Sequence, residues 1–218
     1  MDCFGERGTE RLGMVKRQIA ARGIKNRRVL WAMRTLPRHL FVPWPYSDCA
    51  YDDCPLPIGF GQTISQPFMV AYMLNALSLS PCERVLEVGT GSGYQTVLLS
   101  MLAAEVISIE RITPLAARAE RLLDAFEIKN AKIIVGDGYE GLPESAPFDA
   151  ILLSAAPTFI PPALAEQLGE SGGRMVMPMG DFGAQCLVRI TRHGDDLTIE
   201  ELMDVAFVPM LKGVSDLE

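Results

Sequence analysis

The stretch LEVGTGSGYQ, residues 86–95, constrains this chain more than any other ten residues. RVLEV, ending at Val88, is a short apolar run and reads as a strand, and YQTVLLSML, starting at Tyr94, reads as a helix. Between them glycines alternate at 89, 91 and 93, and Glu87 stands two places before the first. A glycine-rich turn from strand to helix lets the backbone approach a ligand closely and points a helix N-terminus at it, so it is the usual seat of a nucleotide.

The surrounding chain alternates in the same way. From residue 69 the pattern predicts helix over 69–77, strand over 84–88, helix over 92–103, strand over 105–110, and helix over 114–128, with Thr113 as N-cap and Pro114 at the first helical position. Strands at 131–135 and 148–154, a helix at 161–168 and a strand at 173–180 follow, and 185–193 with 198–208 reads as a terminal hairpin. Strand–helix alternation with near-continuous apolar strands predicts an α/β fold, a doubly wound, Rossmann-like sheet. With 218 residues, 49% of them hydrophobic, the chain can fill one such core. We read it as one compact domain in three parts: 1–68, 69–193 and 194–218.

The first part has a different texture. Leu12, Val15 and Ile19, then Val29, Leu30, Met33 and Leu36, recur at helical spacing, with Gly23 between the two helices and Pro37 ending the second. Residues 37–68 hold six prolines and no sustained period. Long irregular segments inside a compact domain are usually functional or disordered. Phe41, Trp44, Tyr46, Tyr51 and Phe60 argue for order, so the segment is expected to be a loop draped over a site.

The nucleotide is narrowed by what is missing. The dinucleotide fingerprint G-x-G-x-x-G, counted from Gly89, needs its third glycine at 94, where Tyr94 stands. No Gly-Lys-Ser/Thr follows, which excludes the P-loop. A smaller, non-phosphorylated nucleoside fits better. Ligands in such sheets bind beyond the carboxyl ends of the strands. There Glu110, twenty-one residues after Gly89, can accept both ribose hydroxyls, and Asp137 can accept from an exocyclic amine. Together these read as S-adenosylmethionine. Glu110 as a helix cap and Asp137-Gly138 as a plain turn stay open as alternatives.

Net charge is −7, so no basic face for nucleic acid is expected, and the cluster Lys25, Arg27, Arg28 reads as a solvated helix start. Five cysteines (Cys3, Cys49, Cys54, Cys82, Cys186) and two histidines (His39, His193) show no metal-ligand spacing, and reduced thiols are expected. The first residues lack an apolar signal region and no run approaches the ~20 apolar residues of a membrane span. A soluble, cytoplasmic protein without a metal is the expectation.

The combined pattern resembles the protein-L-isoaspartate O-methyltransferase family. The residues that carry it are MVKRQIAARGI (14–24), VLWAM with PRHLFVP (29–43), AYDD (50–53), LPIGFGQTISQP (56–67), VLEVGTGSGYQ (85–95), SIERI (108–112), GDGYEG (136–141), PFDAILLSAA (147–156) and FVP (207–209). They span nearly the whole chain, and PIGFGQTISQP separates this family from other methyltransferases. The resemblance implies a S-adenosylmethionine-dependent methyltransferase fold with N-terminal helices and a C-terminal hairpin. It implies methyl transfer to the free α-carboxylate of L-isoaspartyl residues in damaged proteins and peptides. The ester then closes to a succinimide, and hydrolysis returns part of the chain to normal aspartate. Ser65 is implied as the active-site residue, with Thr63, Ile64, Ser154, Val208 and Pro209 about the acceptor. Glu87, Gly89, Thr90, Gly91, Ser92, Gly93, Glu110, Arg111, Asp137 and Gly138 are expected about the cofactor. Substrates would be isoaspartyl chains, met by a monomer, with no nucleic-acid or membrane partner.

This chemistry suits the residues. An α-carboxylate, with a pKa near ~3.5, is ionised at pH 7 and needs no general base. Sulfonium and carboxylate neutralise each other during transfer, so a dry, weakly polar pocket and good orientation serve better than a cationic clamp. Ser65 can give one hydrogen bond without adding charge; Thr63 can do the same. A turn serine bonding its own backbone is the other reading of Ser65. Val208 and Pro209 can equally be the end of a core strand, and Phe68 can stack on the nucleoside or pack in the core. Three other functions are open to such a fold. The first is a small-molecule or nucleic-acid methyltransferase, though nucleic-acid amino methylases often have N/D-P-P-Y/F where this chain reads SAAP. A nicotinamide oxidoreductase fails at Tyr94, and a non-catalytic S-adenosylmethionine-binding protein is separated by assay.

Overall fold

The computed structural model describes residues 6–181 and 183–216. Seven strands form one sheet in the order β5-β4-β3-β6-β7-β8-β9, with β3 Arg84–Val88, β4 Glu105–Glu110, β5 Ala131–Val135, β6 Ala150–Leu153, β7 Ser171–Asp181, β8 Ala184–His193 and β9 Asp196–Val205. The first five in that order are parallel, and β8 and β9 add as an antiparallel pair beyond β7. A separate small hairpin, β1 Leu56–Gly59 and β2 Gln62–Ile64, precedes the sheet.

Strand alternation sorts the core into two layers. Val85, Val106, Leu152 and Val176 face one side, where they meet α3 Pro67–Leu77, α4 Tyr94–Ser100, α5 Thr113–Ala125 and the N-terminal helices. Leu86, Val88, Ile107, Ile109 and Ile151 face the other, where they meet Leu164 of the short α6 Pro162–Glu166 and Met210 of the C-terminal tail. The expected Rossmann-like sheet is present, with most of its helices on one face. Among the described residues no helix is long and apolar enough to cross a membrane.

Several local expectations are corrected. The first helix, α1 Gly8–Met14, widens into a π-helical stretch over Val15–Ile19, which shifts its face: Met14, Val15 and Ile19 are buried, and Leu12 is 54% exposed. In the second helix, α2 Arg27–Thr35, Asn26 caps the start, and Arg28 is no solvated cation. Its guanidinium donates to the carbonyls of Leu79 (2.6 Å) and Leu102, joining α2 to the ends of α3 and α4. Thr113 is not the cap of α5. Ile112 holds that place because Glu110 takes its N–H at 2.9 Å, and the Thr113 hydroxyl donates to Asp216 instead. The helix after the glycines begins at Tyr94, two residues later than expected, because Gly93 is still in the left-handed turn with φ 81°. Cys49, Cys54, Cys82 and Cys186 are free, and Cys3 lies outside the described residues.

The irregular segment is ordered, though not through all its aromatics. Phe41 and Tyr51 are buried, whereas Trp44 is 89% exposed. Two 3₁₀ turns, Arg38–Phe41 and Trp44–Cys49, lead into the β1–β2 hairpin, and Ser65 and Gln66 link β2 to α3. What seats the segment is Arg38. Fully buried, its guanidinium donates to the carbonyls of Ala50 (2.9 Å) and Ser65 (2.8 Å) and lies 5.1 Å from the centre of the Tyr94 ring. Burial pulls its pKa down to about 10.

Candidate active site

A cavity of about 770 Å³ opens at the carboxyl ends of β3, β4 and β6. That volume is in the range of cofactor and small-ligand sites, ~300–1,000 Å³. Its floor is made by Val88, Gly89, Ile109 and Glu110, and its roof by Gln62, Thr63, Ser65 and Phe68. Residues 203–211 form the third wall.

The floor is held by backbone. Gly89 N donates to Ile109 O at 2.8 Å, and Gly91 N to Glu110 Oε2 at 2.8 Å. Glu110 is only 4% exposed, and burial raises its pKa against the pull of neighbouring N–H groups. Its Oε2 holds the Gly91 N–H and its Oε1 the Ile112 N–H, and the Arg111 N–H also pulls on the carboxylate. The acceptor capacity that remains can receive a ribose hydroxyl. The helix-cap alternative is thus also partly realised, since Ile112 is the N-cap of α5. Gly93 does not border the cavity; a Cβ there would stand 3.1 Å from Ala119 Cβ, so this glycine lets α4 start close against α5.

Glu87 is placed elsewhere than expected. Strand alternation turns it to the helical side with Val85, where it is fully buried and does not border the cavity. Its Oε2 accepts from Thr96 Oγ1 (2.5 Å) and Ser108 Oγ (2.7 Å), and Ser108 Oγ in turn meets Thr90 Oγ1 at 2.5 Å. Burial pushes its pKa up to about 7, opposed by hydrogen bonds from Thr96, Ser108 and Gln95. Asp137 also stands back from the cavity. Its Oδ1 accepts from Tyr139 N (2.9 Å), the turn geometry left open above, and its Oδ2 from Gly213 N (2.7 Å). At this strand end the wall is Gly138, where a Cβ would stand 2.4 Å from Val88 Cγ1. Arg111 borders the cavity, with Nε donating to Gly213 O at 3.1 Å.

On the acceptor side Ser65, Thr63, Ser154, Val208 and Pro209 all border the cavity. Ser65 is half-buried, its carbonyl tied to Arg38, and its hydroxyl makes no hydrogen bond among the described residues. The turn-serine reading is therefore not what the geometry gives. Ile64 turns its side chain into the core at 4% exposure and borders only a recess of about 30 Å³ beside the cavity, along with Thr90 and Ser92. The tail's backbone is already engaged: Val208 O accepts from Ala156 N, and Met210 N donates to Ala156 O, both at 2.8 Å. Phe68 packs in the core at 5% exposure, as one reading of it expected, and also borders the cavity, under the Arg22 guanidinium at 3.3 Å. Neither histidine borders the cavity; His39 Nδ1 is paired with Tyr51 Oη at 2.8 Å.

Sequence reasoning passed over Arg22, Arg38 and Gln95. Arg22 is fixed by Asp53 at 2.9 Å and Arg38 by backbone carbonyls, partners that spacing does not reveal. Gln95 carried a signal: an amide on the second residue of a helix in which every residue is buried.

Known proteins resemble this chain over nearly its whole length. The model of the family described as protein-L-isoaspartate(D-aspartate) O-methyltransferase matches residues 10–215. Protein-L-isoaspartate O-methyltransferases are similar over most of their length. That of Syntrophus aciditrophicus is 54% identical over 197 residues, covering 90% of this chain and 88% of the relative. That of Methanospirillum hungatei is 50% identical over 203 residues, covering 93% and 94%. A Plasmodium falciparum chain described as a protein-L-isoaspartate O-methyltransferase, solved in complex with S-adenosyl-L-homocysteine, superposes with a TM-score of 0.79. It is 28% identical and covers 93% of this chain and 98% of its own.

Proposed function

The chain belongs to the protein-L-isoaspartate(D-aspartate) O-methyltransferase family, and from that premise we propose how its cavity performs the repair reaction. The enzyme moves a methyl from S-adenosylmethionine to the free α-carboxylate of L-isoaspartyl residues in damaged proteins and peptides. The ester closes to a succinimide, whose hydrolysis returns part of the chain to normal aspartate.

S-adenosylmethionine supplies a methyl on a cationic sulfur. Glu110 receives a ribose hydroxyl on the acceptor capacity its backbone partners leave, the glycine turn Gly89–Gly91 lies against the nucleoside, and Gly138 backs its far side. Ser65 gives its hydroxyl to the acceptor carboxylate, with Thr63 and Ser154 beside it and Val208 and Pro209 flanking the peptide. One carboxylate oxygen supplies the electron pair of the new O–CH₃ bond, the pair of the broken S–CH₃ bond stays on sulfur, and no proton moves. Glu87 and Asp137 act from behind the wall, shaping the loop and fastening the tail.

The observation that carries this reading is Ser65: an unpaired hydroxyl on the roof of the cavity whose floor holds Glu110. A neutral donor orients a carboxylate while stabilising its ground state less than a cation would. We read the protein as a cytoplasmic monomer; its charge of −7 also favours no nucleic-acid partner.

The test pairs two peptides, one isoaspartyl and one normal aspartyl, with methyl-labelled S-adenosylmethionine. Base-labile label on the isoaspartyl peptide alone is expected, and equal labelling of both would overturn the assignment. Ser65→Ala should lower kcat about tenfold to a hundredfold, the effect of one directed donor, while S-adenosylhomocysteine affinity by calorimetry holds. Equal loss of that affinity would move Ser65 to the cofactor side.

A further inference from the structure

Ser154, at the end of β6, borders both the cavity and the small recess beside it. Its hydroxyl oxygen receives the side-chain amide of Gln95, Nε2 to Oγ at 2.8 Å. Gln95 is buried in the first turn of α4, at 8% exposure, and cannot swing away into water. Behind it lies the buried Glu87, whose Oε2 is clamped by Thr96 and Ser108. The NH₂ end of the amide, not the carbonyl, is the end turned to Ser154. With that NH₂ donating into its oxygen, Ser154 has no reason to give its one proton to Gln95. The proton is left for the cavity.

We infer that Gln95 is a positioning residue for methyl transfer, holding Ser154 as a hydrogen-bond donor aimed at the acceptor carboxylate. This rests on the reading of Ser154 as an acceptor contact. It gives the carboxylate two neutral donors, Ser65 from the roof and Ser154 from the sheet. It also gives the buried side of the glycine turn a link to the cavity: Gln95 sets Ser154.

The test is a double-mutant cycle in the full chain, with kcat on an isoaspartyl peptide and S-adenosylhomocysteine affinity measured for each variant. Ser154→Ala and Gln95→Met should each lower kcat about tenfold, the loss of one oriented hydrogen bond, with affinity kept within about threefold. The double variant should be no slower than Ser154→Ala within about twofold, because Gln95 acts only through the hydroxyl. Ser154→Thr keeps a hydroxyl, and in that background the Gln95→Met loss should return. Gln95→Asn keeps an amide beside Glu87 but withdraws it from Ser154, and it should match Gln95→Met while preserving the fold. Losses that multiply to about a hundredfold in the double variant would overturn the inference and leave Ser154 its role. A silent Ser154→Ala would overturn the placement of Ser154 itself, and with it this inference.

Discussion

The floor and the roof of the cavity are built by different means. The floor is the ends of β3, β4 and β6, each fixed by a ladder of backbone hydrogen bonds that continues through the sheet. The roof, residues 37–66, has two short strands that pair with each other. Its place depends on individual side chains: Arg38 to Ala50 and Ser65, Gln18 to Tyr51 (2.8 Å), and Gln66 to the Asp53 carbonyl (3.0 Å). A ladder spreads its load over many equivalent bonds. A roof hung on single side chains can be moved by one substitution without unfolding the sheet.

The sharpest way to break this contrast is Arg38→Met. The carbonyls of Ala50 and Ser65 lose their donor, and Ser65 shifts. We expect kcat/KM to fall about 100-fold, the scale of a 1 Å misplacement. Stability should change by only about 1–3 kcal/mol, because relief from burying an unpaired cation offsets part of the two lost hydrogen bonds. S-adenosylhomocysteine affinity by calorimetry should stay near wild type; if it collapses with turnover, roof and floor are not separable. Gly138→Ala is the converse. Its Cβ must push Val88, 2.4 Å away, into the floor. Overpacking of this kind costs about 1–3 kcal/mol, and we expect cofactor affinity to weaken about tenfold while kcat at saturation holds. A fall in kcat with unchanged affinity would show that the floor also positions the acceptor.

A third expected effect concerns pH. The carboxyl of Glu87 sits at about 7 in the folded chain against 4.5 in its ordinary state. The folded chain therefore keeps a proton that the unfolded chain has released between those values. This contribution to stability is complete below pH 4.5 and is lost as pH rises through 7. At ~1.4 kcal/mol per tenfold change in proton affinity, it is on the order of 3 kcal/mol. Glu87→Gln removes the titration, and the hydroxyls of Thr96 and Ser108 can rotate to suit an amide. The drop in Tm from pH 5 to pH 8 should shrink by about 5 °C relative to wild type. An unchanged pH slope would mean that Glu87 stays ionised in the fold.

The same contrast governs what the sequence reveals. β4 and β5 match their expected spans to the residue, because an apolar run flanked by polar punctuation is a local signal. Glu110 at the end of β4 follows from the same counting. The β1–β2 hairpin escaped it: strands of four and three residues, one containing Pro57, show no period, and Phe60 at φ 53° occupies a conformation that glycine more often takes. Arg38 is illegible for a different reason, since its partners are carbonyls, which every residue possesses. Glu87 was legible in principle. Two places after Val85 on one strand it must share the helical face, yet motif spacing alone suggested a ligand contact.

The tail has a consequence in the order of synthesis. Residues 203–211 close the third wall, and residues 213–216 fasten it through Asp137, Arg111 and Thr113. All of the wall past residue 205 is made after the seventh strand. Without that stretch the sheet is complete but the cavity stands open on one side. Chains released at residue 205 should show sheet by circular dichroism and no S-adenosylhomocysteine binding; undiminished binding would make the tail mere trim.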